Sequence, residues 1–202
     1  MPKRSYTDLI KLDLEHLHKN GFIVVSKAFE VDDNIISKLQ KQIQSRGQSI
    51  FGRDRKRKQC ELYKSSKDLC SFTSMLNNLI GTMITNPTYH QSDWVILKSP
   101  SDSQRQFFHH DYVPSKAMDE CPDHDFPLAV LCSLMPETKL DVYIDGKYKT
   151  IELGPGDILI FRGDFTHAGS AYKKENIRLH CYLDNARVPR TPNRTHIVEV
   201  DI

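Results

Sequence analysis

Two residues near the middle of the chain, His109 and Asp111, carry side chains that commonly bind metals. They stand two positions apart in QFFHHD (106–111), a stretch of strand-like composition. Side chains on a strand alternate between its two faces, so His109 and Asp111 should share one face while His110 points the other way. One imidazole and one carboxylate make two thirds of the 2-His-1-carboxylate triad, which holds non-haem Fe(II) and leaves coordination positions open. The pattern predicts that a second imidazole joins them from a later strand.

His167 is the natural source of that second imidazole. It lies near the end of GDILIFRGDFTHAG (156–169), whose apolar run predicts a strand. A single histidine is often a surface residue or a hydrogen-bonded core residue, and nine histidines in the chain make chance pairs common. The order of the residues and their strand contexts nevertheless favour a metal site formed by His109, Asp111 and His167.

Arg178 lies eleven residues after His167, within an apolar strand pattern. Its guanidinium could hold a carboxylate through a two-pronged, charge-assisted pair, and the ordinary alternative is a surface ion pair. His180 and Tyr182 share its face by strand parity, so both should point inward, either to a ligand or into the core. Gln106 falls on the face opposite to the metal ligands by the same count, so it is assigned no role.

The order of these motifs resembles that of the Fe(II)/2-oxoglutarate-dependent dioxygenases, of the phytanoyl-CoA-hydroxylase and prolyl-hydroxylase-like type. An HxD motif comes first, then a Gly-Asp turn with an apolar strand and a histidine, then an arginine. Two further segments look like that superfamily: His16–Val25, a helix, Gly-Phe and strand, and Gly154–Asp157, the turn before the strand that leads to the distal histidine. The catalytic part of the resemblance covers about residues 90–185, with weaker support from about 15–45.

The resemblance implies an oxygenase that hydroxylates a C–H bond while 2-oxoglutarate and O2 are converted to succinate and CO2. His109, Asp111 and His167 would bind Fe(II), and Arg178, with His180 beside it, would bind the cosubstrate 2-oxoglutarate. The substrate stays open, with a protein side chain or a small molecule as first choice and a nucleic-acid base as the alternative. A non-catalytic binding module on the same barrel and a cupin-type metal enzyme are the rival classes. The intact triad argues against the first, and the absence of His-x-His with a downstream Glu at 109–111 argues against the second.

The elements that would position these residues change in character near residue 90. Before it, apolar periodicity predicts helices at 7–19, 33–44 and 72–84, capped in the second case by Asp32 or Asp33, and a strand at 22–25. After it, short apolar runs between turn signals, including the hairpin signal Asp145-Gly146, predict eight strands. They are expected near 93–98, 106–112, 127–134, 140–144, 147–153, 157–162, 166–172 and 177–184.

These elements predict a fold of the α+β class, mainly β. A double-stranded β-helix (jelly roll) over about residues 91–202 would form the catalytic barrel, and the helical part, about 1–90, would pack outside it. Residues 1–202 are expected to form a single domain.

The basic run at 53–58 is interpreted as a solvated surface loop in preference to a patch that binds the phosphates of nucleic acid. Together with Arg187, Arg190 and Arg194, it keeps the nucleobase alternative open. Cys121-Pro122-Asp123-His124 has no second ligand pair at zinc spacing, so a substrate-covering loop over 113–126 is the preferred interpretation.

Composition sets wider bounds on function. The 202 residues are 39% apolar and 27% charged, with a net charge of +2 that demands no acidic partner. The five cysteines include no CxxC pair and no apolar signal core is seen near Met1, so an intracellular, reduced protein is expected. No run is apolar and long enough to span a bilayer. The oligomeric state is left open.

Overall fold

Two antiparallel β-sheets packed face to face dominate the computed structural model, which describes residues 14–50, 55–85, 87–120, 126–190 and 195–200. The helices are α1 (Leu14–Asn20), α2 (Asp33–Arg46), α3 (Lys67–Met83) and α4 (Lys116–Asp119). The strands are β1 (Phe22–Val25), β2 (Gln48–Ser49), β3 (Lys58–Glu61), β4 (Tyr89–Gln91), β5 (Val95–Ser99), β6 (His109–His110), β7 (Leu128–Ser133), β8 (Thr138–Ile144), β9 (Lys147–Leu153), β10 (Ile158–Arg162), β11 (His167–Gly169), β12 (Asn176–Asn185) and β13 (His196–Ile197).

The helices begin and end at residues that can cap them. The Asp32 side chain accepts a hydrogen bond at the start of α2, as predicted. Ser66 caps α3, which therefore begins five residues before the predicted start, because its polar first turn shows no apolar periodicity. α1 ends at Gly21, whose φ of +81° is the left-handed conformation expected there. The predicted beginning of this helix, 7–13, lies outside the described residues.

The larger sheet has eight strands in the order β1-β10-β7-β12-β5-β3-β2, with β4 paired to the far end of β12. The smaller sheet has five strands in the order β13-β6-β11-β8-β9. The β8–β9 hairpin turns at Asp145-Gly146, where both residues have positive φ, as the sequence predicts. The predicted strand 106–112 is reduced to two residues, so Gln106 precedes the strand and its assignment to a face by parity does not apply.

Two apolar layers hold the sheets and helices together, and they confirm the predicted jelly roll with helices outside. One layer lies between the sheets, where Leu131 and Phe161 meet Leu140 and Val142. The other joins the outer face of the larger sheet to α2 and α3 and contains the buried Trp94. Of the apolar residues in the predicted helix 72–84, Phe72, Leu76, Ile80 and Met83 are buried, whereas Met75 is 36% exposed.

The part of the chain before residue 90 contributes strands to the larger sheet. β1 forms one edge, and β2 and β3 form the other. The basic run enters β3, and Arg57 at this point is buried while Arg55 and Lys56 are exposed. The interpretation of the whole run as a solvated loop is therefore wrong at Arg57. Residues 53–54 lie outside the described chain.

Candidate metal centre and active site

Three side chains converge on the inner face of the smaller sheet. His109 on β6 and His167 on β11 lie directly opposite each other, and Asp111 follows β6. His109 Nε2 is 3.9 Å from Asp111 Oδ1, and His167 Nε2 is 3.7 Å from Asp111 Oδ2. One donor atom from each residue lies within 4.8 Å of the others, which among the described residues is the one such group of three. The structure thus brings together the three predicted ligands.

Both imidazoles are held by backbone carbonyls. His109 Nδ1 bonds Phe107 O and His167 Nδ1 bonds Phe165 O, each at 2.8 Å. A carbonyl oxygen can only accept, so each Nδ1 carries the hydrogen and each Nε2 keeps its lone pair toward Asp111. Burial, with His109 as the second cause, lowers the pKa of His167 to about 4, so this ring is neutral near pH 7. Metal-binding histidines are commonly oriented in this way.

Asp111 is buried and ionised. Burial alone would raise the pKa of this carboxyl, but the imidazoles of His167 and His109 and a hydrogen bond donated by the Tyr182 hydroxyl outweigh it and hold the pKa below its usual range. The Arg190 guanidinium carbon lies 3.8 Å from the centre of the Tyr182 ring and packs against it, within the range of cation–π attraction. Strand alternation predicts only that Tyr182 points inward. Its contact with the Asp111 carboxylate depends on how the two sheets pack face to face, which the alternation of side chains along one strand does not reveal.

The triad lines one cavity of about 230 Å³ together with Arg178 and His180. Its remaining walls come from both sheets, and Phe107 and Ile197, 37% and 56% exposed, also line it. Two imidazole nitrogens and one carboxylate on a single face of an accessible cavity make a donor set suited to Fe(II) with open coordination positions.

Arg178 lies in the same cavity with an incomplete set of partners. It is 3% exposed, and one of its terminal nitrogens donates to Ser99 Oγ at 3.0 Å. Its Nε is buried without a hydrogen-bond partner, and no carboxylate of the described residues forms an ion pair with it. A buried charge without a counter-ion is unfavourable, so a carboxylate ligand would supply what is missing. Burial lowers the pKa of the neighbouring His180 to about 4, so that ring adds no charge near pH 7.

Gln106, assigned no role from the sequence, lines the cavity. Its Oε1 accepts from Gly169 N at 3.1 Å, and its own N–H donates to Gly169 O at 2.9 Å. A Cβ on Gly169 would overlap Gln106 Oε1, so a side chain at this position would require the Gln106 amide to shift.

Other predicted residues lie outside the cavity. His110 Nε2 bonds Thr166 Oγ1 at 2.7 Å and points away from the triad, as strand alternation predicts. Lys98 on β5 forms an ion pair with Glu175 at 2.6 Å. Cys121 and the segment 121–125 of the proposed covering loop lie outside the described residues.

The basic residues that suggested a nucleobase substrate do not form one exposed surface that could bind phosphates. Arg57 is buried, and Arg190 forms an ion pair with Asp184. Arg187 is exposed and lines a second cavity of about 210 Å³ that borders Asp111. Arg194 lies outside the described residues.

Several solved structures share this fold, among them two prolyl hydroxylases and an epimerase. A prolyl hydroxylase from Trichoplax adhaerens, in complex with a peptide fragment of the hypoxia inducible factor oxygen degradation domain, matches with a TM-score of 0.69 and 14% identity over 89% of this chain and 90% of that chain. A Pseudomonas putida prolyl-4-hydroxylase matches with a TM-score of 0.68 and 10% identity over 90% and 99%. The epimerase SnoN, in complex with Fe3+, alpha ketoglutarate and nogalamycin RO, matches with 0.63 and 13% over 89% and 86%.

At these identities, the comparisons establish a shared double-stranded β-helix fold. No protein-family model matches the chain, and no curated protein matches it. Among the described residues, no helix has both the length and the apolar character needed to cross a membrane.

Proposed function

We propose that this protein is an Fe(II)- and 2-oxoglutarate-dependent oxygenase that hydroxylates a protein side chain or a small molecule inside the cell. The observation that carries the proposal is a single cavity that holds a His-Asp-His cluster and a buried guanidinium without a carboxylate partner. The fold shared with iron- and 2-oxoglutarate-dependent enzymes supports it. An arrangement of this kind is far more specific than the fold alone, which can carry unrelated functions.

The metal would be held by His109 Nε2, His167 Nε2 and the Asp111 carboxylate. When bound, Fe(II) supplies open positions at which the 2-oxo acid and O2 meet. The chain prepares these ligands in advance. The carbonyls of Phe107 and Phe165 fix the tautomer of each imidazole and so keep a lone pair on Nε2.

Arg178 would bind the distal carboxylate of 2-oxoglutarate through charge-assisted hydrogen bonds that use its unpartnered Nε. His180, neutral near pH 7, would lie beside it without competing for the carboxylate. In the overall reaction, one oxygen atom of O2 enters the substrate C–H bond as a hydroxyl group. The other enters succinate as the 2-oxo acid loses CO2.

The substrate class is supported at a coarse level. One neighbour of the same fold is complexed with a peptide fragment and another with nogalamycin RO, so a protein side chain and a small molecule both suit the scaffold. The exposed Phe107 and Ile197 in the lining of the cavity favour a substrate with an apolar portion. The burial of Arg57 and the pairing of Arg190 weaken the case for a nucleobase.

The test is an anaerobic titration with Fe(II) and then 2-oxoglutarate, followed by measurement of succinate released in air. Wild type, His167→Ala and Arg178→Ala are compared with the controls His110→Ala and Arg187→Ala, which change the same residue types outside the proposed contacts. Turnover that depends on metal, survives in the controls and is lost in the other two variants is the expected result. Wild type that binds neither iron nor 2-oxoglutarate would instead indicate a binding module.

A further inference from the structure

Arg57, the buried member of the basic run, lies behind the Arg178 end of the cavity. It is 1% exposed and is among the largest fully buried side chains of the described residues. Long basic side chains are seldom fully buried unless their polar atoms are satisfied. The hydrogen bonds of its guanidinium therefore indicate its structural role.

The guanidinium of Arg57 connects three segments that carry residues of the candidate site. It donates to Gln104 O at 2.7 Å, just before the segment that leads to the metal strand. It also donates to Ser170 O, just after the strand that carries His167. A third hydrogen bond, at 2.6 Å, goes from Nη1 to Ser99 Oγ at the end of β5.

Ser99 receives hydrogen bonds from two arginines at once. Its Oγ accepts from Arg57 Nη1 at 2.6 Å and from Arg178 Nη1 at 3.0 Å. A hydroxyl oxygen has two lone pairs, so both are in use and the hydroxyl hydrogen must point away from both guanidinium groups. The hydroxyl rotor is thereby fixed as an acceptor for Arg178.

Tyr172 contacts the same two arginines. Its ring centre lies 5.7 Å from the guanidinium carbon of Arg57 and 5.4 Å from that of Arg178, within the range of cation–π attraction. The ring is held by two hydrogen bonds of 2.8 Å between its hydroxyl and the backbone of Lys139. Arg178 is thus positioned by groups that do not line the cavity themselves.

We propose that Arg57 and Ser99 are positioning residues, which orient Arg178 so that its free donors meet the distal carboxylate of a 2-oxo dicarboxylic acid. This inference rests on the proposed function, because the ligand is its cosubstrate. Without Arg57, one lone pair of Ser99 Oγ is freed and the hydroxyl can rotate, so the direction in which it accepts from Arg178 is no longer fixed. Arg57 of the basic run would therefore affect which cosubstrate binds, although it is buried and does not touch the cosubstrate.

Ser99→Ala is the cleanest test, because it removes the shared acceptor and leaves the bonds from Arg57 to Gln104 and Ser170 in place. Binding of 2-oxoglutarate and of 2-oxopentanoate, whose methyl group replaces the distal carboxylate, is measured by anaerobic calorimetry at saturating Fe(II). We expect 2-oxoglutarate to bind about tenfold more weakly, as for the loss of one hydrogen bond to a charged group. Binding of 2-oxopentanoate and of Fe(II) should stay within about twofold of wild type.

Arg57→Lys keeps the charge and loses the planar fork, so it should weaken 2-oxoglutarate binding in the same selective way. Ser103→Ala is the matched control, since Ser103 is also buried and its hydroxyl has no partner.

Wild-type affinity for 2-oxoglutarate in Ser99→Ala would overturn the inference. So would an equal loss for 2-oxoglutarate, 2-oxopentanoate and Fe(II), which indicates general structural damage. Failure of wild type to bind Fe(II) or 2-oxoglutarate would instead refute the proposed function itself.

Discussion

The two ends of the cavity are assembled in different ways. At the metal end, His109 and Asp111 are two positions apart, and His167 faces His109 across one pair of strands. At the other end, Arg178 is held by Ser99 from β5 and, through it, by Arg57, the residue just before β3. The first arrangement depends on local spacing and one strand pairing. The second depends on contacts between segments that are far apart in the sequence.

The two ends also differ in charge and should therefore respond separately to substitution. The metal end presents two imidazoles, of which that of His167 is neutral near pH 7, around one carboxylate, whereas the other end presents a buried cation with an unpartnered nitrogen. Substitutions at sites that share no partner usually have additive effects. Metal affinity and cosubstrate affinity should thus change independently, except where one residue contacts both ends.

The largest expected effect is that of His167→Ala on metal binding. Loss of a direct ligand should lower Fe(II) affinity by more than about 100-fold, beyond the loss usually seen when a group behind a ligand is changed. Anaerobic equilibrium dialysis measures it, with His110→Ala as the control from the opposing strand. Unchanged affinity in His167→Ala would show that the metal binds elsewhere.

Arg178→Met should affect the opposite end. Loss of the charge-assisted pair is expected to weaken 2-oxoglutarate binding roughly 100-fold, equivalent to about 3 kcal/mol. Fe(II) affinity should remain near that of wild type. Calorimetry at saturating Fe(II) tests the first expectation and dialysis the second. A parallel loss of Fe(II) affinity would contradict the separation of the two ends.

Tyr182→Phe tests a contact that crosses from the larger sheet to a metal ligand on the smaller one. Removal of the hydroxyl leaves Asp111 without its donor, so Fe(II) affinity should fall about tenfold. The same dialysis measures it, and the exposed Tyr148→Phe provides a comparison. An affinity equal to that of wild type would mean that the hydrogen bond does not orient the carboxylate.

The pH dependence of stability compares one histidine from each sheet. The pKa values of His167 and His180 fall from 6.5 to about 4 on folding, so between these limits the unfolded chain binds more protons than the native protein. Their contribution to stability is fully present above about pH 6.5 and is lost as the pH falls toward 4. Each can contribute up to about 1.4 kcal/mol per pH unit.

Urea unfolding of the metal-free protein between pH 7.5 and 4.5 measures this slope. In His180→Gln, the free energy of unfolding should change less steeply with pH, because one of the two depressed histidine pKa values is gone. His110→Gln provides a reference for a less buried ring. An unchanged slope in His180→Gln would show that the ring does not resist protonation in the native protein.

The difference between the two ends explains what the sequence could reveal. Strand alternation correctly places His109 and Asp111 together and turns His110 away, because two-residue periodicity holds even in a very short strand. It fails for Gln106, since the chain before β6 is not a strand. The buried position of Arg57 could not be predicted, because the four other basic residues of the run favour exposure and its carbonyl partners come from distant segments.

The placement of β1, β2 and β3 in the larger sheet has a consequence for how this protein can be divided or recombined. A gene fragment that starts near residue 90 would encode every proposed metal ligand, yet it would lack both edges of the sheet and Arg57. The freed neighbours, β10 and β5, would expose unpaired backbone groups that invite association with other chains. A chimaera made with a related protein should therefore take residues 22–61 and the barrel from the same parent.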